Sequence, residues 1–200
     1  MNTIVVAITG ASGAVYGLRL VEELLAAGRK VALLASSPGL AVLRHEIGLD
    51  WTGSTGERRE KMRGHFGSAS LEHYDQDDFF APVASGSSAP QGVVIAPCSM
   101  GTAGRIAAGL SNTLIERVAD VALKERRPLI LVPRETPFNT LHLENLLRLS
   151  RAGAQILPAM PAFYHRPQSV EALVDFVVGK ILDSLGIEHA LFQRWGEGGN

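Results

Sequence analysis

Short apolar runs alternate with helix-patterned stretches along most of this 200-residue chain. Ile4-Val5-Val6-Ala7-Ile8 is the first such run, rich in β-branched residues, free of charge and ended by Thr9-Gly10. It reads as a strand buried on both faces. From Ala14 to Ala27 the apolar residues Val15, Leu18, Val21, Leu24 and Leu25 recur at three- and four-residue steps, and Gly28 supplies a stop. The pairing recurs. Lys30 to Ala35 precedes a helix that Ser37-Pro38 opens, with Ser37 as cap, and that Leu40, Leu43 and Ile47 carry. Gly92 to Ala96 precedes a helix through about Ala108, and Asn112 can cap another running to Lys124. Pro128 to Val132 precedes Leu141 to Arg151, and Gln155 to Leu157 precedes a long helix capped by Ser169, with Glu171 in its first turn, that reaches Leu185. Strands alternating with helices predict an α/β fold, an open and mostly parallel sheet sandwiched by helices.

The pattern weakens between about Gly48 and Ser88, where a short helix around Arg58 to Met62 and a short strand at Leu71 to Tyr74 are the only expectations. Ala84 to Pro90 is small and flexible in composition. The length fits a single domain over residues 1–200. Hydrophobic residues are 46% and charged residues 20%, which excludes wholesale disorder. Nineteen basic against twenty acidic residues leave no excess charge to neutralise a nucleic-acid backbone. One cysteine, Cys98, excludes an intrachain disulfide and a Cys-rich zinc module. No apolar run approaches the roughly 18 to 20 residues that span a bilayer. Met1-Asn2-Thr3 lacks the basic start of a signal peptide. A soluble cytoplasmic protein is expected.

In an open parallel sheet, ligands bind beyond the carboxyl ends of the strands. Gly10-Ala11-Ser12-Gly13 falls there, where glycines permit a tight turn and a helix N-terminus offers free amides to an anion. The spacing is not that of a dinucleotide fingerprint, and Ser36 stands where an adenosine ribose expects an acid. A mononucleotide with one phosphate fits better, against a plain βα turn as the structural alternative. Pro97-Cys98-Ser99-Met100-Gly101-Thr102 repeats the arrangement after a later strand, with Ser99 and Thr102 three residues apart. Two hydroxyl-rich turns in one small chain favour a bound phosphate or flavin. Arg117 and Lys124 lie two helical turns apart on one face, and Glu116, Asp120 and Lys124 are spaced as an i,i+4 charge ladder, so a solvated or subunit-facing surface competes with a binding role there. Arg134-Glu135 follows a strand, where an arginine can grip phosphate and a carboxylate can handle a proton. Tyr164-His165-Arg166 sits between Pro161 and Pro167. The six histidines show no metal-ligand spacing, so no catalytic metal is expected. No G-x-S-x-G elbow is present for a hydrolase, and Cys98 reads as packing rather than nucleophile.

Together these segments resemble the UbiX/Pad family of flavin prenyltransferases. The resemblance rests on Ile8-Thr9-Gly10-Ala11-Ser12-Gly13-Ala14 with Tyr16 to Leu20, on Pro82 to Ser87, on Pro97 to Thr102 and on the long block NTLIERVADVALKERRPLILVPRETP from Asn112 to Pro137. His142 to Asn145, Pro158 to Tyr164 and Val174-Asp175-Phe176 extend it over nearly the whole chain. The family implies a flavodoxin-like or Rossmann-like three-layer α/β/α sheet, reduced FMN bound as substrate, dimethylallyl monophosphate as donor, and prenylated FMN as product. It also implies a UbiD-type decarboxylase as recipient, ubiquinone biosynthesis as one setting, and a homododecamer built of trimers. Carried over by position, Gly10, Ala11, Ser12, Ser36, Ser99, Met100, Gly101, Thr102 and Arg134 hold FMN. Prenyl-phosphate contacts fall to Lys124, Arg134, Glu135, Tyr164 and Lys180, beside Arg117, with Trp195 of the tail closing over the site. Ser12, Glu46, Glu135 and Tyr164 are the catalytic expectations, and the tail from about 186 to 200 is expected to pack on a neighbouring subunit. Lys180 stands where well-studied members carry arginine, which keeps the charge but loses the two-pronged grip.

Two other readings compete. Phosphopantothenoylcysteine decarboxylases share the general fold but carry a catalytic histidine near the N-terminus, and Gly10 to Tyr16 contains none. A non-enzymatic flavin carrier has no use for the cations between Arg117 and Arg134.

Overall fold

The structure is a computed structural model and describes residues 3–196. Six strands, β1 (Thr3–Ile8), β2 (Lys30–Ala35), β3 (Leu71–His73), β4 (Gly92–Cys98), β5 (Leu129–Pro133) and β6 (Gln155–Ile156), form one sheet. All neighbours pair in parallel, in the order β3-β2-β1-β4-β5-β6. This is the doubly wound, Rossmann-type order, and it reverses direction between β1 and β4, which opens a crevice at their carboxyl ends.

Among the described residues seven helices cover the sheet: α1 (Ala14–Ala26), α2 (Ser37–Ile47), α3 (Thr55–Phe66), α4 (Met100–Ala107), α5 (Leu114–Lys124), α6 (Thr140–Arg151) and α7 (Val170–Leu185). Alternate residues of each strand feed opposite layers. Ile4, Val6 and Ile8 pack with Leu20 and Leu24 of α1, Leu43 of α2, Met62 of α3 and Val178 of α7. Val5, Ala7 and Ile95 pack with Ala103 of α4, Val118 of α5 and Leu149 of α6. The strands are therefore buried on both sides, as their uninterrupted apolar runs require. Gly17 sets the depth of one layer: a Cβ there would lie 2.3 Å from the Ala96 carbonyl oxygen, so only glycine lets α1 settle onto β4.

Several local expectations are corrected. The N-cap of α2 is Ser36, not Ser37; its hydroxyl accepts from the Gly39 amide, and Pro38 follows within the first turn. The cap of α5 is Thr113 rather than Asn112. The weak segment contains a full twelve-residue helix, α3, closed by a capping box between Ser54 and Glu57. Ala84 to Pro90 is not a loose stretch: Pro82–Ala84 and Gly86–Ser88 each form a turn of 3₁₀ helix against α5. Within the chain, Asp183 of α7 accepts from Arg194 of the tail at 2.7 Å and lies 3.2 Å from His189. Glu197 to Asn200, counted above with the tail, fall outside the described residues.

Candidate functional site

Three helix starts converge on the crevice. Ser36 caps α2, Ser99 caps α4 and Thr113 caps α5, each accepting a backbone amide from its own first turn. With Gly10, Pro38, Gln76, Thr102, Arg105 and Ile115 they line a cavity of about 270 Å³ at the carboxyl ends of β1, β2 and β4. Uncapped amides and the positive ends of the helix dipoles make this an anion-seeking space. Gly10 keeps its mouth narrow, since a Cβ there would come within 2.5 Å of the Pro38 Cβ.

Thr9 ties the two turns together. It is buried, and its hydroxyl donates to the Pro97 carbonyl at 2.7 Å and accepts the Ser99 amide at 2.8 Å. The Gly10 turn and the Ser99 turn are thus joined through one side chain. Ser99 Oγ lies 3.0 Å from Thr102 Oγ1, so the two hydroxyls predicted to converge do so. Met100 is buried and Gly101 is exposed at the start of α4.

On the other side of Gly10 lies a second cluster. Glu46, on the last turn of α2, accepts the Gly13 amide at 3.0 Å and the Ala14 amide at 3.3 Å. Arg134, just past β5, donates from Nε to the Ser12 carbonyl at 3.1 Å. Partial burial works against the charge on Glu46. The Ser12 hydroxyl, the two amides and the nearby Arg134 guanidinium outweigh it and hold the carboxyl below the usual carboxylate range. Ala11 is buried beneath this turn and Ser12 is exposed on it. Glu135 accepts the Thr136 amide with Oε1 at 3.0 Å.

The remaining expected residues sit apart within one chain. Lys124 is at the end of α5, before β5, and pairs with Glu125, whereas Arg134 follows the carboxyl end of β5. Arg117 donates to the Ala84 carbonyl at 3.1 Å and contacts Asp120 at 3.6 Å. Lys180 lies 3.5 Å from Asp183 on α7. The charge ladder read through Glu116 does not form. Glu116 is fully buried and accepts from Arg105 instead, because the α5 face that carries it turns into the core. Tyr164 belongs to an aromatic group, with Trp195 at 5.2 Å and Phe176 at 5.9 Å. Its loop departs from the site edge, where the Ala159 amide donates to the Pro133 carbonyl at 3.1 Å. Cys98 is buried and its thiol is pushed up to about 12 by that burial, which leaves no thiolate for nucleophilic work. Among the described residues no three His, Cys, Asp or Glu side chains gather as a metal cage. No helix among them is long and apolar enough to cross a membrane.

Sequence reasoning missed Arg105. It follows no motif, and only the three-residue step from Thr102 back to Ser99 marks it as a neighbour of the Ser99 turn.

Residues 1–182 match the flavoprotein family. The chain is 52% identical over 194 residues to the flavin prenyltransferase UbiX of Halalkalibacterium halodurans, covering 96% of this chain and 92% of that protein. It superposes on AnUbiX (PadA1), solved in complex with FMN and dimethylallyl pyrophosphate, with a TM-score of 0.86 and 38% identity over 98% of this chain and 97% of that one. A dodecameric FMN-dependent UbiX-like decarboxylase from Escherichia coli O157:H7 aligns with a TM-score of 0.84 and 36% identity over 96% and 98% of the two chains. The turns at Gly10 and Ser99 and the sheet that carries them are thus those of a known kind of enzyme, and the chain belongs to the flavoprotein family, among the UbiX flavin prenyltransferases.

Proposed function

We propose that the protein transfers a dimethylallyl group from dimethylallyl monophosphate to N5 and C6 of reduced FMN, releasing phosphate and prenylated FMN for a UbiD-type decarboxylase. The observation that carries this reading is the convergence of three capped helix starts on one cavity, with the Ser12–Glu46–Arg134 cluster directly beyond Gly10. The cavity suits the phosphate and ribityl end of a mononucleotide, and the cluster suits the reacting edge of its ring. The complex of AnUbiX with FMN and dimethylallyl pyrophosphate supports a flavin and a prenyl donor as the ligands.

Reduced FMN supplies the nucleophilic ring: N5 displaces phosphate from C1′ of the donor and gives up its proton, and C6 then closes on C3′ as C2′ takes up a proton and C6 loses one. The C1′–O, N5–H and C6–H bonds and the C2′=C3′ π bond break, the C1′–N5, C3′–C6 and C2′–H bonds form, and the one net proton leaves with a base. The chain's residues handle charge and position. Arg134, Lys124 and Lys180 supply the positive charge that the departing phosphate needs, and the Tyr164 hydroxyl donates to it. These groups do the work of a metal ion, so the reaction is metal-independent. The faces of Tyr164 and Trp195 favour positive charge developing on the allylic carbon. Glu46 fixes the turn that presents Ser12, and Glu46, Glu135 or the released phosphate accepts the proton.

Lys124 precedes β5 and Arg134 follows it, so a site that uses both cations draws them from different subunits. Exposed apolar side chains on α6 and the loop after β6, among them Leu141, Leu147 and Phe163, favour burial by other copies. A homododecamer built of trimers, with the tail meeting a neighbour, fits them and the dodecameric relative. The cytoplasm suits a chain whose single thiol is buried and free. Anaerobic incubation with reduced FMN and each donor phosphate, followed by mass analysis of the flavin, tests the reading.

A further inference from the structure

Arg105 and Glu116 form a unit that neither the turns nor the cluster described above requires. Glu116 is completely buried, and both of its oxygens are used: Oε1 accepts Arg105 Nε at 2.5 Å and Oε2 accepts the Asn112 amide at 2.8 Å. A carboxylate placed there without its partner would be an uncompensated buried charge. Arg105 is therefore held by its Nε. Nη2 then donates to Thr102 Oγ1 at 3.1 Å, inside the turn that Ser99 caps. Nη1 lies over Gly101, where an added Cβ would stand 3.4 Å away. The side chain is about half exposed and lines the same cavity as Ser36, Ser99, Thr102 and Thr113. One guanidinium is thus fixed at a pocket wall with hydrogen-bonding capacity left over, opposite hydroxyls and helix amides. A planar fork in that setting matches a phosphate monoester.

We propose that Arg105, positioned by Glu116, holds the terminal phosphate of FMN, and that this contact rather than the ring contacts distinguishes FMN from riboflavin. The inference rests on the flavin reading above and adds a residue to it. Gly101 contributes by leaving room beside Nη1, and Thr102 by holding Nη2 at the rim.

The test is flavin affinity, measured by fluorescence quenching and calorimetry with FMN and riboflavin on the intact oligomer. Arg105→Ala should weaken FMN on the order of 10- to 100-fold and change riboflavin less than about twofold. Arg105→Lys should recover part of the FMN preference, and added salt should erode it in the wild type more than in Arg105→Ala. Glu116→Gln should narrow the ratio of FMN to riboflavin affinity by letting the guanidinium swing; if circular dichroism shows it unfolded, the Arg105 variants decide. Equal weakening of both flavins by Arg105→Ala overturns the proposal, because a merely structural role has that signature. So does unchanged FMN affinity with a raised KM for dimethylallyl monophosphate, which would give the anion site to the donor. A wild type that prefers neither flavin overturns this phosphate site alone, whereas one that binds no flavin defeats the underlying flavin reading.

Discussion

The Gly13 amide donates to the Glu46 carboxylate at 3.0 Å, so the last turn of α2 closes on the first turn of α1 across the mouth of the site. The carboxyl is held below the ordinary carboxylate range despite partial burial by the Ser12 hydroxyl, the Gly13 and Ala14 amides and Arg134. A group with a depressed folded-state pKa contributes above its unfolded pKa and loses that contribution as pH falls through the folded value. The turn should therefore hold at neutral pH and loosen only on acidification beyond the usual range. Amide exchange at Gly13 and Ala14 should accelerate there in the wild type, while Glu46→Gln should exchange faster at neutral pH and show no such step.

Thr9 gives a sharper stability prediction. Thr9→Val removes the acceptor of the part-buried Ser99 amide and one of the two donors to the Pro97 carbonyl, and should cost about 1–3 kcal/mol in urea unfolding. Thr9→Ser keeps the hydroxyl and should cost far less. FMN affinity should fall with Thr9→Val, because the Ser99 turn is placed through this side chain.

Gly17→Ala should destabilise by roughly 1–3 kcal/mol, since the new methyl meets the Ala96 carbonyl rather than a side chain that can move. Gly101→Ala, which meets only the end of Arg105, should be nearly neutral in unfolding. Chemical denaturation of the two variants side by side checks the difference.

The sheet was legible because β1, β2, β4 and β5 are buried on both faces and therefore carry apolar runs that no exposed segment would show. Helix α3 was nearly invisible for the converse reason. It buries only Met62 and is held by its capping box and by pairs such as Arg63 with Glu72, which leave no apolar period. Ser36 and Ser99 were readable as site residues because each follows an apolar run at the carboxyl end of a strand, although the α2 cap was expected one residue later, at Ser37. Glu116 was misread because charges at i,i+4 spacing look alike whether the face meets water or the core. Arg105 could not be found, since its importance comes from a partner eleven residues away that only folding brings near.

Lys124 and Arg134 pose a test of shared sites. Lys124→Ala should lower turnover roughly 100-fold while FMN stays bound, and Tyr164→Phe should act in the same direction. Mixed oligomers assembled from Lys124→Ala and Arg134→Ala subunits should regain activity that neither parent shows, because some sites then receive both wild-type cations. Mixtures no more active than the parents would place each site within one subunit.

The most direct measurement is the mass of the flavin recovered after anaerobic incubation of the protein with reduced FMN and dimethylallyl monophosphate. A product heavier than FMN by one dimethylallyl group, with one phosphate released per flavin and no added metal, is the predicted result. Recovery of unmodified FMN from folded, flavin-loaded protein, with either the monophosphate or the pyrophosphate as donor, would contradict it.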